Sequence, residues 1–134
     1  MRKALLVHLA SRFFHFWKPL NMTCLFCKII AGEAKADIVY RDEHVTAFRD
    51  NQPVSPTHVL IVPNRHIESV NQAEPEDALT LGSLFLAARK IAEMENIQHG
   101  GYRLIVNTGA DGGQTIFHLH MHLIGGRRMK HPIG

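Results

Sequence analysis

The run 117–126, FHLHMHLIGG, sets His118, His120 and His122 at every second position, with Leu119, Met121 and Leu123 between and after them. On an extended chain successive side chains point to opposite faces, so the three imidazoles share one face at roughly 7 Å spacing. The apolar residues share the other face and supply packing. Imidazole titrates near neutrality, so a neutral ring offers a nitrogen lone pair that can attack phosphorus. Neighbouring rings can orient the nucleophile, bind phosphoryl oxygens and protonate a leaving group. Three histidines with a water also describe a catalytic zinc site. Neighbours on one strand converge on an ion, however, only if other elements bring ligands to them. A wet sheet face carrying polar residues is the bland alternative, and three histidines in register weigh against it. Just upstream, GADGGQT (109–115) carries glycines that let backbone N–H groups approach phosphate oxygens, and Thr115 adds a hydroxyl. Cys24 and Cys27 have the C-x-x-C spacing of two zinc ligands. A redox pair and two small residues that simply pack are the other readings of that pair.

The elements that must position these groups follow from the patterning. CLFCKIIAGE (24–33) reads as a short helical turn ending at Gly32. DIVYRD (37–42) and HVTAFRD (44–50) are rich in β-branched and aromatic residues and read as an antiparallel hairpin turning near Asp42 and Glu43. NQPVSPTH is a loop with two prolines, and HVLIVP (58–63) is a strand buried on both faces. Pro75, Glu76 and Asp77 open a long helix with an apolar face of Leu81, Leu84, Phe85, Ala88, Ile91 and Ala92, stopped by Gly100 and Gly101. YRLIVN (102–107) and TIFHLHMHLI (115–124) are further strands. Strands outnumber helices and are joined mostly by hairpin-length links, which predicts an α+β fold on an antiparallel sheet.

The length of 134 residues suits one domain, and two cysteines exclude a secreted disulfide framework. The basic balance belongs to residues 1–21, which hold Arg2, Lys3, Arg12 and Lys18 and no acid; without them the formal charge falls from +3 to −1. A basic nucleic-acid surface is therefore not supported by net charge. The leader is a poor secretory signal, because Arg12 interrupts its apolar run, and it is too broken to span a membrane. The favoured reading is translation from Met22, with a transit peptide or surface anchor as the alternative. Domain organisation is thus a leader over 1–21 and one domain over 22–134, in the cytoplasm and without a membrane partner.

The pattern His118-Leu-His120-Met-His122-Leu-Ile resembles the signature of the histidine-triad (HIT) family. Agreement extends through GGQTIF, YRLIVNTG, SPTHVLIVP and AFRD, from about residue 24 to the end. The following Gly-Gly is similar to the Hint-like branch of nucleoside phosphoramidases. This resemblance implies a homodimeric HIT fold of about five antiparallel strands, one long helix and a short N-terminal helix, taking purine nucleotides of the AMP type. It implies His120 as nucleophile, forming a nucleotidyl-histidine, with His122 on the phosphate and leaving group, and His58 and His118 completing the catalytic set. Asp50 would hold the ribose hydroxyls beside Asn51, and Phe48 would line the base. Asn107, Gly113, Gln114 and Thr115 would cradle the phosphate. Some members carry the cysteine pair and bind structural zinc, which implies Cys24, Cys27, His66 and His118 as ligands and no cofactor in the chemistry itself. Where relatives carry an aromatic residue in the C-terminal tail this chain has His131. The expected activity is hydrolysis of an AMP-linked phosphoramidate or adenylate. A zinc-stabilised nucleotide-binding interaction module with incidental hydrolysis and a histidine-based metalloenzyme are the competing classes.

Overall fold

A computed structural model describes residues 23–133, so the expectations for the leader and for Met22 lie outside the described residues. Helix α1 (Leu25–Ile30) is followed by strands β1 (Ile38–Arg41), β2 (Val45–Arg49) and β3 (Thr57–Pro63). Two short 3-10 turns at Val70–Gln72 and Pro75–Asp77 lead into helix α2 (Ala78–Met94), and β4 (Tyr102–Val106) and β5 (Met121–Gly125) complete the chain. The five strands form one sheet in the order β1-β2-β3-β5-β4, every neighbouring pair antiparallel. The expected α+β architecture stands. Asp42 Oδ1 accepts the N–H groups of His44 and Val45 and so makes the β1–β2 turn.

Alternation along the central strands builds two cores. Val45, Ala47, Val59, Ile61, Leu119, Met121 and Leu123 face α2 and pack on its Leu84, Ala87, Ala88, Ile91 and Ala92. On the opposite face Phe48, Leu60 and Val62 pack on Cys24, Phe26, Cys27 and Ile29 of the α1 segment. All seven residues of β3 are buried, as its unbroken apolar run requires.

Three expectations change. Phe85 is 58% exposed, because it lies about 100° round α2 from Leu84, at the rim of the stripe, and Ala87 takes its place in the core. Helix α2 ends at Met94, not at Gly100 and Gly101: Asn96 adopts φ 59°, and the N–H groups of Asn96 and Ile97 return to the carbonyls of Glu93 and Ala92. The last ladder begins only at Met121, opposite Ile61 in β3, so the strand expected over 115–124 is shortened to Met121–Gly125. Beyond that point the Leu119 N–H donates to Ile67 O instead, and the in-out alternation persists to His118.

Candidate active site and metal centre

The register decides which histidines meet. His122 lies opposite Leu60 and His58 opposite Ile124, so His58 and His122 are diagonal neighbours on one face of the sheet. Their rings touch through His58 Nε2 and His122 Nδ1 at 3.0 Å. His58 Nδ1 accepts the backbone N–H of Val54 at 3.1 Å, which leaves the ring proton on Nε2. That N–H faces both His122 Nδ1 and, at 3.3 Å, Asp50 Oδ2. Burial pushes His58 below its ordinary value, against the opposing pull of the Asp50 charge, so the contact is a hydrogen bond from a neutral ring. Asp50, His58 and His122 also have the composition of a metal triad, with donor atoms within 4.8 Å of one another. With its lone pair spent on Val54 N–H, however, His58 has none to offer at Nε2. The arrangement is a hydrogen-bonded chain that fixes where the ring protons of His58 and His122 lie.

His120 is 6% exposed, and its Nδ1 lies 2.7 Å from His118 O. A carbonyl accepts only, so Nδ1 carries the proton and Nε2 the lone pair. Burial, the largest cause, holds the His120 pKa below its ordinary value and keeps the ring neutral. Phe26 stands edge-on to it at 5.2 Å between centroids, and His122 lies at 5.0 Å. His122 is half-buried; burial and then the neighbouring His120 and His58 push its pKa down to about 4. Because its Nδ1 accepts from His58, its Nε2 carries the ring proton.

His118 turns away from this pair. Its Nε2–H donates to Pro63 O at 2.8 Å, and its Nδ1 lone pair points at Cys24 Sγ (3.4 Å), Cys27 Sγ (3.6 Å) and His66 Nδ1 (3.2 Å). Cys27 Sγ is 3.3 Å from His66 Nδ1. All four donor atoms lie within 4.8 Å of one another. A tetrahedral zinc with ordinary Zn–S and Zn–N lengths has S–N and N–N edges of about 3.3–3.6 Å. The donors therefore already stand near the corners of such a polyhedron, and two thiols with two ring nitrogens are the chemistry zinc prefers. Burial first, and then the nearby rings, push His118 down to about 4, which keeps it neutral and able to ligate.

The remaining expected residues are distributed around this core. Asp50 Oδ1 accepts the N–H of Gln52, leaving Oδ2 towards His58; Asn51 beside it is exposed. Phe48 is only 3% exposed and meets Phe26 edge-on at 5.3 Å inside the second core. Gly113 adopts φ 87° with Asn107 Nδ2 close by, and Thr115 is exposed. The glycine loop differs from expectation in one respect. The N–H groups of Gly109, Gly112, Gly113 and Gln114 go to acceptors within the loop itself. The Gln114 side chain is also fully engaged, accepting from Gly109 N–H and donating to Glu68 O and Ile116 O. Two participants escaped the sequence reading. Phe26 sits between the cysteines without any periodicity to mark it, and the Val54 N–H is a backbone group that leaves no signature in residue type.

The HIT domain matches residues 31–129. Over 110 residues the chain is 53% identical to the purine nucleoside phosphoramidase of Escherichia coli (strain K12), covering 82% of this chain and 89% of that protein. Its fold is similar to that of a HIT family hydrolase from Legionella pneumophila Philadelphia 1, with TM-score 0.80 and 44% identity over 83% of this chain and 99% of that one. A Zn-bound histidine triad family protein from Mycobacterium smegmatis is similar at TM-score 0.70 and 28% identity, over 81% of this chain and 78% of that one. The histidine array, the sheet that carries it and the extent of these matches agree: the chain belongs to the histidine-triad (HIT) domain family.

Proposed function

We propose that this HIT-type enzyme hydrolyses AMP-linked phosphoramidates or adenylates through a covalent nucleotidyl-histidine at His120. The observation that carries the reading is the bond from His120 Nδ1–H to His118 O, which leaves the lone pair of a neutral ring on Nε2. In the first step Nε2 attacks the α-phosphorus, the P–N or P–O bond to the leaving group breaks, and the leaving group takes up a proton. His122 Nε2–H hydrogen-bonds the phosphoryl oxygen and the departing atom, and the leaving group takes its proton from solvent water, whose hydroxide is consumed in the second step. His58 holds the His122 tautomer. Water then attacks the same phosphorus, releasing AMP and restoring the ring. Asp50 and Asn51 serve the ribose, while Phe48 acts as a wall behind the base. Asn107, Gly113 and Thr115 face the phosphate, with Gln114 ordering their loop.

Zinc on Cys24, Cys27, His66 and His118 would cross-link α1 to the loop after β3 and supply no chemistry to the reaction. The relative from Mycobacterium smegmatis, which is Zn-bound, supports this assignment. Residues 22–134 act as the catalytic domain in a cytoplasmic homodimer. Edge strand β4 and the exposed Phe85 and Leu86 of α2 support self-association. Among the described residues no helix is long and apolar enough to cross a membrane.

The test is turnover of adenosine 5′-phosphoramidate with and without a strong chelator, followed by alkaline quench of labelled substrate. Chelator-insensitive hydrolysis, label on position 120 and loss of both in His120→Ala are expected. Tight nucleotide binding without turnover would favour the interaction module, and activity lost to the chelator and restored by metal would favour a metalloenzyme.

A further inference from the structure

The two glycines that end the histidine run have a steric task. Gly126 adopts φ +95°, and a Cβ there would fall 2.9 Å from Pro56 Cβ. At Gly125 a Cβ would fall 2.7 Å from Ile97 Cδ1 and 3.1 Å from Tyr102 Cβ. At Gly126 the chain therefore turns tightly against the loop between β2 and β3, as only glycine allows, while Gly125 lets β5 pass close to Ile97 and Tyr102. The turn delivers Arg127 to that loop.

Arg127 Nη2 donates to Val54 O at 2.8 Å, and its Nη1 donates to Arg128 O at 2.9 Å. Val54 is the residue whose N–H donates to His58 Nδ1. Guanidinium and imidazole thus grip the two peptide planes on either side of one α-carbon. The Val54 side chain is largely exposed, so packing does little to hold it; the polar contacts do. The groups facing the His58 ring are Asp50, at the end of β2, and His122, on β5, and the loop supplies the Val54 N–H. The Val54 N–H at Nδ1 and the Asp50 carboxylate at Nε2, which can only accept, both select the tautomer that donates to His122; without the Val54 N–H that selection rests on Asp50 alone.

We propose that Arg127 is a positioning residue: by holding the Val54 carbonyl it keeps the Val54 N–H on His58 Nδ1, and so fixes the Nε2–H tautomer on which the His58–His122 contact depends. The left-handed turn at Gly126, packed on Pro56, is what makes this reach possible. The consequence for turnover rests on the function proposed above; the consequence for the tautomer does not.

The test uses the full chain with 15N-labelled histidines and long-range proton–nitrogen spectra at neutral pH. Wild type should show His58 protonated at Nε2 alone. Arg127→Met should show a mixture of tautomers, and its kcat should fall about tenfold with KM little changed, the equivalent of one hydrogen bond from a charged donor. Arg127→Lys, which keeps one donor for the carbonyl, should recover most of both signals. Arg128→Met should leave both unchanged. An Arg127→Met protein that keeps the wild-type tautomer overturns the inference, whatever its rate. A shifted tautomer in a protein that never hydrolyses an adenosine phosphoramidate would overturn the proposed function and leave this inference standing.

Discussion

Removing metal from the Cys24–Cys27–His66–His118 cluster should lower stability by an amount that can be worked out beforehand. The donor separations of 3.2–3.6 Å are already those of a tetrahedral site, so binding needs almost no rearrangement. Metal that binds only the folded chain stabilises it by RT ln(1 + [L]/Kd), about 4 kcal/mol at a thousandfold excess over Kd. For a domain of this size each kcal/mol moves the melting midpoint by about 4 °C. The zinc-loaded protein should therefore melt roughly 15 °C above the same protein in excess chelator. Elemental analysis should find one zinc per chain. Cys27→Ser removes a ligand and lowers the baseline by itself, so the informative quantity is its response to chelator, which should be close to zero. The reasoning fails if wild-type protein carries no metal and melts within about 2 °C of the same temperature with and without chelator.

Two further outcomes are open to simple measurement. Burial lowers the folded-state pKa of His58, and that of His122 to about 4, below the ordinary value of 6.5. Between those limits the unfolded chain binds the extra protons, so this contribution is complete above about pH 6.5 and is lost as pH falls towards 4. The urea midpoint should rise with pH across that window, and the rise should be smaller in His122→Gln; an identical profile in the variant would refute the assignment. Gln114→Glu would replace the donor that serves Glu68 O and Ile116 O with an anion facing two carbonyls, at a cost of about 2–4 kcal/mol. A melting midpoint within about 2 °C of wild type would show that Gln114 does not order the loop.

Local pattern carried much of the architecture. The β1–β2 hairpin, the fully buried β3 and the in-out alternation through Leu119, Met121 and Leu123 were legible because each depends on residues near in sequence. The helix stop was misread because asparagine can take the left-handed position usually given to glycine, and Asn96 reached it first. The glycine loop was half legible. Its composition marks a tight turn, but composition does not say whether the N–H groups point outward or, as here, close on their own loop.

The sequence by itself determined that three imidazoles share a face, because alternation is a property of the extended backbone. It also identified, through family resemblance, which residue types to bring together. Only the tertiary structure divided the labour among those rings. His118 finds Cys24 across 94 residues and His66 across 52, whereas His122 finds His58 through a sheet register spanning 64. Each ring's free nitrogen is chosen by what the other nitrogen meets: Pro63 O for His118, His118 O for His120, His58 Nε2–H for His122. Those partners are mostly backbone groups or distant side chains. A hydrogen bond depends on where an atom lies, and spacing along the chain does not encode that.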